Sequence, residues 1–204
     1  RLVKFEADKL TRLEITARGQ TIEFGKNAQN EWQIIRPQPS RADGGLIEEL
    51  IRKIADARMD PSVSPEDEKK AAAAFASGTM AGVARITDAS GTQQIEVRRD
   101  KEKNCWARGS AIEGVHRVSS DLADSLDKSL NDFRNRKLFD FGYNEPSSIE
   151  VRDGTRQAAY QKQAERWMSG TAQMDAGTIN ALVDKLRDLT ATGFVNTAFP
   201  APVF

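Results

Sequence analysis

The feature that most restricts the fold of this chain is a pattern that occurs twice, far apart in the sequence. Residues 12–15 read RLEI and residues 148–151 read SIEV; the segments 31–34 (EWQI) and 166–169 (RWMS) then follow at nearly the same spacing. One such match arises easily by chance. A shared order of strand, turn, strand, Trp, helix cap and helix indicates an internal repeat. We therefore expect the chain to build one structural unit twice.

The first copy is predicted to hold three strands and a helix, because its apolar and polar residues alternate with the period of strands that bury one face. Gly19 in the ARGQ segment can take the positive φ that a tight hairpin requires. Asp43 stands where an N-cap carboxylate accepts free backbone N–H groups. The alternating apolar residues are Leu13, Ile15, Ile22, Phe24, Trp32 and Ile34, and the helical stripe is Leu46, Ile47, Leu50, Ile51 and Ile54.

The second copy repeats this order. Ile149 and Val151 precede an RDGT turn that contains Gly154, and Asp175 again precedes a predicted helix. Further strand positions are Ala158, Tyr160 and Trp167, and the apolar side of the helix is Ile179, Leu182, Val183, Leu186 and Leu189. Matching positions keep offsets that drift only from 136 to 132 residues: Ile15 and Val151, Trp32 and Trp167, Asp43 and Asp175, Ile47 and Ile179, Leu50 and Leu182.

The stretch between the copies has a related order of strands, Gly-containing turns and a helix. VARITD and QQIEVRR flank a second Gly-containing turn at Gly91, and CWARG and VHRVSS follow as further strands. A helix is predicted from about Asp121 to Arg136, with an apolar stripe of Leu122, Leu126, Leu130 and Phe133. Before these strands, Ser64 as cap, Pro65 at the first position and Gly78 as the stop predict a short helix.

These elements predict an α+β protein made of antiparallel β-hairpin units, each covered by a helix. Two units are related by the internal repeat and a third unit bridges them. The predicted boundaries are 1–62 for the first repeat, 63–143 for a helix plus the bridging unit and its helix, and 144–204 for the second repeat.

Composition excludes several classes of site. Cys105 and His116 are the only residues of their types, so neither a disulfide framework nor a zinc site built from several Cys or His ligands is possible. Thirty basic and thirty acidic residues cancel, which leaves no global field for nucleic acid. The chain lacks an apolar run of membrane-spanning length, so no direct membrane insertion by this fragment is expected. A start without Met or a signal pattern is interpreted as a trimmed fragment.

The chain resembles the DUF4340 family. The resemblance rests on RLEI with W-x-I, on ITDASGTQQIEV, on LNDFRNRKLFDF at residues 130–141, and on the second SIEV with its Trp and helix. The family name states that its function is undefined, so no catalytic residue carries over. The resemblance implies a setting: similar proteins are usually held at a bacterial membrane by an N-terminal helix with this domain outside the cytoplasm, and some are encoded beside ABC-type transporter or gliding-associated components.

A search for chemistry finds no nucleotide-binding loop, dinucleotide fingerprint, zinc-protease motif or nucleophile elbow. Cys105 is interpreted as a buried structural residue, and a Cys105–His116 dyad is disfavoured. Glu14 and Glu150 occupy equivalent positions, but the alternation places both on the outer face of their strands. Accordingly, we predict no catalytic, cofactor-binding or metal-binding residues and no cofactor.

The remaining candidates are aromatic. Trp32, Trp106 and Trp167 are interpreted as residues that pack against helices, with a sugar- or base-stacking platform as the alternative. In the segment 133–143, Leu138, Phe139 and Phe141 are expected to pin the joint between lobes while the basic residues face water. The functional alternative is a docking surface for a partner. The residues of that possible partner surface are Phe133, Arg134, Arg136, Lys137, Phe139, Phe141 and Tyr143.

The leading functional hypothesis is a non-enzymatic extracytoplasmic binding or scaffold module, an accessory part of a membrane transport or cell-surface machinery with protein partners at the membrane. The alternative is a small-ligand or glycan binder that uses a cleft between the repeats. The apolar tail with Phe194, Phe199 and Phe204 is not expected to be left exposed to water, so something is expected to cover it.

Overall fold

A computed structural model describes residues 1–59 and 64–195, with two antiparallel sheets and five α-helices. The chain divides into two compact units, Arg1–Asn135 and a second unit that begins at Arg136. The predicted α+β class is confirmed. The predicted boundaries after residues 62 and 143 separate sequence repeats, whereas this division separates compact units. Those predicted boundaries therefore stay a prediction. Phe199 and Phe204 of the predicted apolar tail lie outside the described residues.

The first unit contains an eight-stranded sheet with the order β4-β3-β2-β1-β5-β6-β7-β8, in which every neighbouring pair is antiparallel. Its strands are β1 (Arg12–Ala17), β2 (Gln20–Lys26), β3 (Trp32–Arg36), β4 (Ser40–Arg41), β5 (Thr79–Asp88), β6 (Gly91–Arg99), β7 (Cys105–Gly109) and β8 (Ile112–Val118). Its helices are α1 (Gly44–Asp56), α2 (Pro65–Ser77), α3 (Ser120–Leu126) and α4 (Leu130–Phe133), after a 3-10 turn at Ala7–Lys9.

The β1–β2 hairpin sets the register of this sheet. Arg18 and Gly19 both have positive φ, 52° and 74°, which is the backbone of a two-residue turn whose twist matches the strands. Leu13 then lies opposite Phe24, and Ile15 lies opposite Ile22. Because side chains alternate along a strand, these apolar pairs share one face of the sheet and are buried together.

The main core of the first unit lies between that face and the helices α1, α3 and α4. Ile47, Leu50, Ile51 and Ile54 of α1 are all buried in it, so the predicted stripe is confirmed. Phe133 contributes a ring that packs edge-on against Phe24 with 5.1 Å between centroids. These contacts make one continuous apolar layer from α1 to the sheet.

The helix α2 covers the opposite face of the sheet near its β8 end. Trp106 lies between Cys105 and Ala107, which belong to the main core, so its side chain points to the other face. There it packs against Ala71 and Phe75 of α2. The eight-stranded sheet is therefore covered on both faces at this end.

The predicted helix from Asp121 to Arg136 is wrong as a single element. It is broken at Asp127, whose backbone (φ −80°, ψ 61°) leaves the helical region. Ser129 then starts the separate helix α4 through a capping box with Asp132, and Arg134 is extended. The apolar period was correct, but local capping groups compete with continuation of the helix.

The second unit contains a four-stranded sheet with the order β12-β11-β10-β9 and one helix. Its hairpin has the register of the first copy: Ile149 lies opposite Tyr160, as Leu13 lies opposite Phe24, and both offsets are 136 residues. Two-residue strands before each helix, β4 and its counterpart, were missed by the sequence analysis. The elements are β9 (Ser148–Asp153), β10 (Arg156–Gln163), β11 (Arg166–Ser169), β12 (Ala172–Gln173) and α5 (Ala176–Asp188).

The core of the second unit is small and is incompletely covered. Its fully buried members are Ile149, Trp167, Ile179 and Val183. Val151 is 42% exposed, whereas its repeat counterpart Ile15 is 0% exposed. Leu189 was predicted on the apolar side of α5, but it is the exposed C-cap residue of that helix. The two copies therefore share a hairpin and helix while differing in how much surface they bury.

This difference predicts unequal effects of equivalent substitutions. We expect Ile15→Ala to lower the free energy of unfolding by about 2–5 kcal/mol, because it leaves a cavity in a closed core. Val151→Ala should cost less than about 1 kcal/mol, because that side chain is already half in water. Peptide-resolved hydrogen exchange measures the opening free energy of each unit separately. Equal losses in the two variants would contradict the observed exposure of Val151.

Candidate interaction surface

Two residues of the predicted partner surface, Phe133 and Arg134, are buried in the first unit. The Phe133 carbonyl accepts a hydrogen bond from the Asp43 N–H at 2.8 Å. Arg134 forms an isolated bridge with Ala42, and its guanidinium donates to Gln38 at 3.0 Å. Both residues hold the segment before α1 in place. They are thus not accessible to a partner, and the surface is reduced to the residues that follow them.

The residues from Arg136 onward belong to the second unit, where the backbone is tied to the chain after α5. The Leu138 N–H donates to the Leu189 carbonyl at 3.1 Å, and Lys137 bridges to Thr190. The Arg136 carbonyl accepts from the N–H of residue 191 at 2.7 Å. This short antiparallel pairing fixes the direction of the segment while its side chains project outward.

Phe141 anchors the end of the segment. Its ring packs against the core of the second unit, and the Arg187 guanidinium lies over it at 5.2 Å from the ring centroid. Arg187 also donates from Nε to the Gly142 carbonyl at 2.9 Å. An aromatic ring between an apolar core and a cation is held in one position. Phe141 is therefore held within the second unit rather than offered as free contact surface. Leu138 and Phe139, which were expected to be pinned together with Phe141, are exposed instead.

Large apolar side chains remain exposed on either side of this anchor. Leu138 is 51% exposed, Phe139 is 46% exposed and Tyr143 is 99% exposed. Arg136 and Lys137 precede them and are also exposed. We call these five residues the 136–143 patch. Aromatic residues and Arg are enriched at protein interfaces, and clustered exposed apolar groups are typical of binding surfaces.

The single cysteine and histidine do not form a catalytic pair. Cys105 is buried, as predicted, and burial raises the pKa of its thiol. It lies opposite Val118 on the neighbouring strand, whereas His116 lies opposite Ala107. The His116 Nε2 atom is 2.9 Å from the Glu113 carbonyl oxygen. Both side chains thus serve local structure.

The repeated carboxylates are on outer faces, as the alternation predicted. Glu14 accepts from Arg12 at 2.8 Å in the first unit, and Glu150 accepts from Arg152 at 2.8 Å in the second. Gln157 also donates to Glu150. Each carboxylate is therefore neutralised by a cation two residues away on its own strand.

The two helix-cap aspartates are confirmed as caps. The Asp43 carboxylate accepts from the Leu46 N–H at 3.1 Å, and that of Asp175 accepts from the Thr178 N–H at 2.7 Å. Hydrogen bonds from the hydroxyl and N–H of Thr178 lower the pKa of Asp175. In residues 1–59 and 64–195, no group of three or more Cys, His, Asp or Glu side chains is arranged to hold a metal ion.

The tryptophans are packed as structural residues. Trp32 and Trp167 are buried, each in the core of its own unit. Trp106 is half-buried beneath α2, and its indole Nε1 donates to Asp100 at 2.9 Å. That hydrogen bond lowers the pKa of Asp100. Buried rings cannot stack on a sugar, so Trp32 and Trp167 offer no platform for a glycan.

Sequence reasoning missed a cluster of charges that joins the β1–β2 turn to α3. The Asp127 carboxylate accepts from Arg18 at 2.7 Å and from Arg99 at 2.9 Å, and Arg99 also donates to Asp124 at 2.6 Å. Burial would raise the pKa of Asp127, but the two guanidinium groups outweigh burial and lower it. The three segments are distant in sequence, so no local motif signals this cluster.

An open cavity of about 610 Å³ lies beside the end of α1 in the first unit. Cations such as Arg52 and Arg117 line it together with the carboxylates of Glu49 and Asp56. Because both signs are present, the lining has no clear preference for a charged ligand. In the described part of the chain, no helix is both long enough and apolar enough to span a bilayer.

Comparison with known families finds one match. The family described as "Domain of unknown function (DUF4340)" matches residues 80–203, which begin at the second residue of β5 and include the whole described second unit. No curated protein and no solved structure matches the chain.

The Asp127 cluster predicts a loss of stability in acid. The pKa of Asp127 is lower in the folded than in the unfolded chain, so its stabilisation is complete above about pH 4 and is lost as the pH falls through the folded value. We expect Asp127→Asn to lower the free energy of unfolding at pH 7 by about 1–3 kcal/mol. In this variant the free energy of unfolding should also depend less on pH below pH 4.

Urea unfolding, followed by circular dichroism from pH 7 to pH 2, measures both effects. Asp153→Asn, which changes an exposed carboxylate in the second unit, is the matched control. If the free energy of unfolding fell with pH as steeply in Asp127→Asn as in the wild type, Asp127 would not be the carboxylate whose protonation destabilises the fold.

Proposed function

The chain belongs to the DUF4340 family, and from this premise we propose that it is a non-enzymatic module that binds or scaffolds a protein partner. The proposal concerns the surface of the second unit, since the family description assigns no function. The observation that carries it is the 136–143 patch. Three large apolar side chains are exposed there on a backbone that is held by hydrogen bonds and by the Phe141 anchor.

The rigidity of the segment supports a binding role. A surface that is ordered before binding loses less conformational entropy when a partner arrives. The pairing of Arg136 with the chain after α5 fixes one end, and the Arg187 contact to Phe141 fixes the other. The exposed rings of Phe139 and Tyr143 then lie on a segment whose backbone is already held in place.

The composition of the patch favours a protein as the partner. Tyr and Arg are frequent among residues that dominate interface energies, and aromatic rings bury much area with few rotatable bonds. Arg136 adds positive charge beside the rings, which suits a partner that places Asp or Glu around an apolar pocket. The neutral balance of the whole chain argues against a nucleic acid.

The other residues considered for chemistry have structural contacts, which supports a non-enzymatic role. Cys105 is buried, His116 bonds to a backbone carbonyl, and the two cap aspartates hold helices. An accessory role outside the cytoplasm, next to a membrane transport or cell-surface machinery, is the part of the proposal that rests on the family resemblance alone.

The patch predicts a partner whose capture depends on three residues. A variant with Leu138→Ser, Phe139→Ser and Tyr143→Ser should capture at least about tenfold less of that partner than the wild type does. The reason is that truncating interface anchors weakens binding strongly. Affinity capture from a detergent extract of the source organism's membranes, quantified by mass spectrometry, measures the loss.

The matched control carries Ile35→Ser and Met80→Ser, which change apolar residues of similar exposure in the first unit. The control should retain the proteins captured by the wild type. If no protein is enriched by the wild type, or if both variants lose the same proteins equally, the patch is not the binding surface.

A further inference from the structure

In the described part of the chain, the two sheets end in four edge strands: β4, β8, β9 and β12. The strands β4 and β12 have only two residues each, which offers almost nothing for another strand to pair with. The strand β8 packs under α2, and Gly114 with a φ of 95° interrupts its regular backbone. Among the edge strands of residues 1–59 and 64–195, only β9, with six residues, combines length with a regular edge.

The repeat shows what that edge would bind. In the first unit the counterpart of β9 is β1, which is not an edge but lies between β2 and β5. The strand β1 pairs with β5 in antiparallel register, so that Leu13 lies opposite Ile86 and Glu14 lies opposite Arg85. The β9–β10 hairpin has the register of β1–β2. The described residues of the second unit, 136–195, therefore repeat this part of the first unit without an equivalent of β5.

Side-chain exposure supports this view independently. Ile15 lies opposite Ala84 of β5 and is fully buried, whereas Val151 at the same repeat position is 42% exposed. Both residues are on the core face of their hairpins, since Val151 alternates with the buried Ile149. The second unit thus exposes an apolar side chain, beside an unpaired strand edge, where the first unit has a strand.

We propose that the free edge of β9 binds an extended segment of a protein partner, which adds an antiparallel strand to the four-stranded sheet. The segment carries a basic residue opposite Glu150, with apolar residues on either side that face Ile149 and Val151. Backbone hydrogen bonds supply the affinity in such strand addition, and the alternating side chains supply the selectivity. This inference goes beyond the proposed function, because it concerns the backbone edge of β9 rather than the side chains of the 136–143 patch.

Charge determines which segment fits. Glu14 has a cation opposite it across the strand pair, Arg85, as well as Arg12 on its own strand. Glu150 accepts from Arg152, which follows it on its own strand, and it lies opposite Ala159 of β10, but in the described chain no strand lies on its outer side. Opposite charges that face each other across an antiparallel pair are favourable. A basic residue in the incoming segment restores the arrangement of the first unit.

A second copy of the chain fits the same edge less well. Two β9 strands paired antiparallel about Val151 would place Glu150 opposite Arg152, which is favourable. The same register places the buried Ile149 opposite Asp153, so a carboxylate would lie beside the apolar core. A strand that resembles β5 places an apolar residue there instead, as Ile86 lies opposite Leu13.

The probe is a synthetic peptide with the sequence of residues 81–88, AGVARITD, which contains the β5 residues that pair with β1. Fluorescence anisotropy of the labelled peptide, titrated with the whole chain, measures binding. In a strand only alternate N–H groups point to one neighbour. We therefore expect N-methylation of one alternating set of peptide nitrogens to weaken binding at least about tenfold, and N-methylation of the other set to change it little.

Charge exchange identifies the site. Glu150→Lys should weaken binding of the peptide about two- to fivefold, and a peptide with Glu in place of its Arg should recover that loss on the variant. Glu14→Lys is the matched control at the repeat position in the first unit. If Glu14→Lys weakens binding and Glu150→Lys does not, the peptide is replacing β5 and the proposal is wrong.

Three further outcomes would overturn the proposal. They are absence of peptide binding, equal effects of the two N-methylated peptides, and a dimer in sedimentation analysis that dissociates in the Glu150→Lys variant. The peptide experiment measures the backbone edge of β9, whereas the capture experiment measures the side chains of the 136–143 patch. The strand-addition proposal and the proposed function can therefore fail separately.

Discussion

The antiparallel β1–β2 hairpin is the constraint on which the first unit depends. Its two-residue turn at Arg18 and Gly19 sets a register that puts every inward apolar residue on one face. A shift of one residue would turn that face to water. The helix α1 can cover the sheet because its four-residue stripe meets this face. The β1–β5 pairing then extends the same register to the rest of the sheet.

The same hairpin in the second unit has a different environment. It keeps the register, the buried Trp and the Asp-capped helix, yet its core has few fully buried residues and one side of β9 is unpaired in the described chain. A repeat that buries less surface is less stable by itself and offers more of its surface for contact. This asymmetry connects the architecture with binding, since the exposed apolar groups Val151, Phe139 and Tyr143 all belong to the less covered unit.

Much of the fold was predictable because its signals are local. The alternation of Leu13 with Ile15, the glycine turns and the capping residues Asp43, Ser64 and Asp175 each act within a few residues, and the structure confirms them. The break at Asp127 was missed because an apolar period continues across it. Of the possible partner surface, Phe133 and Arg134 were misplaced, since the sequence pattern does not distinguish an exposed ring from one that packs on Phe24.

The sequence by itself determined the repeat, the α+β class, the hairpin turns and the helix starts, because these follow from side-chain period and from hydrogen bonds between near neighbours. Only the tertiary structure decided which residues of the 133–143 segment are buried, that Arg18, Arg99 and Asp127 meet, and that β1 is an inner strand while β9 is an edge. Those outcomes depend on which distant segments come into contact. The physical reason is that two strands with the same pattern differ only in whether another strand lies beside them.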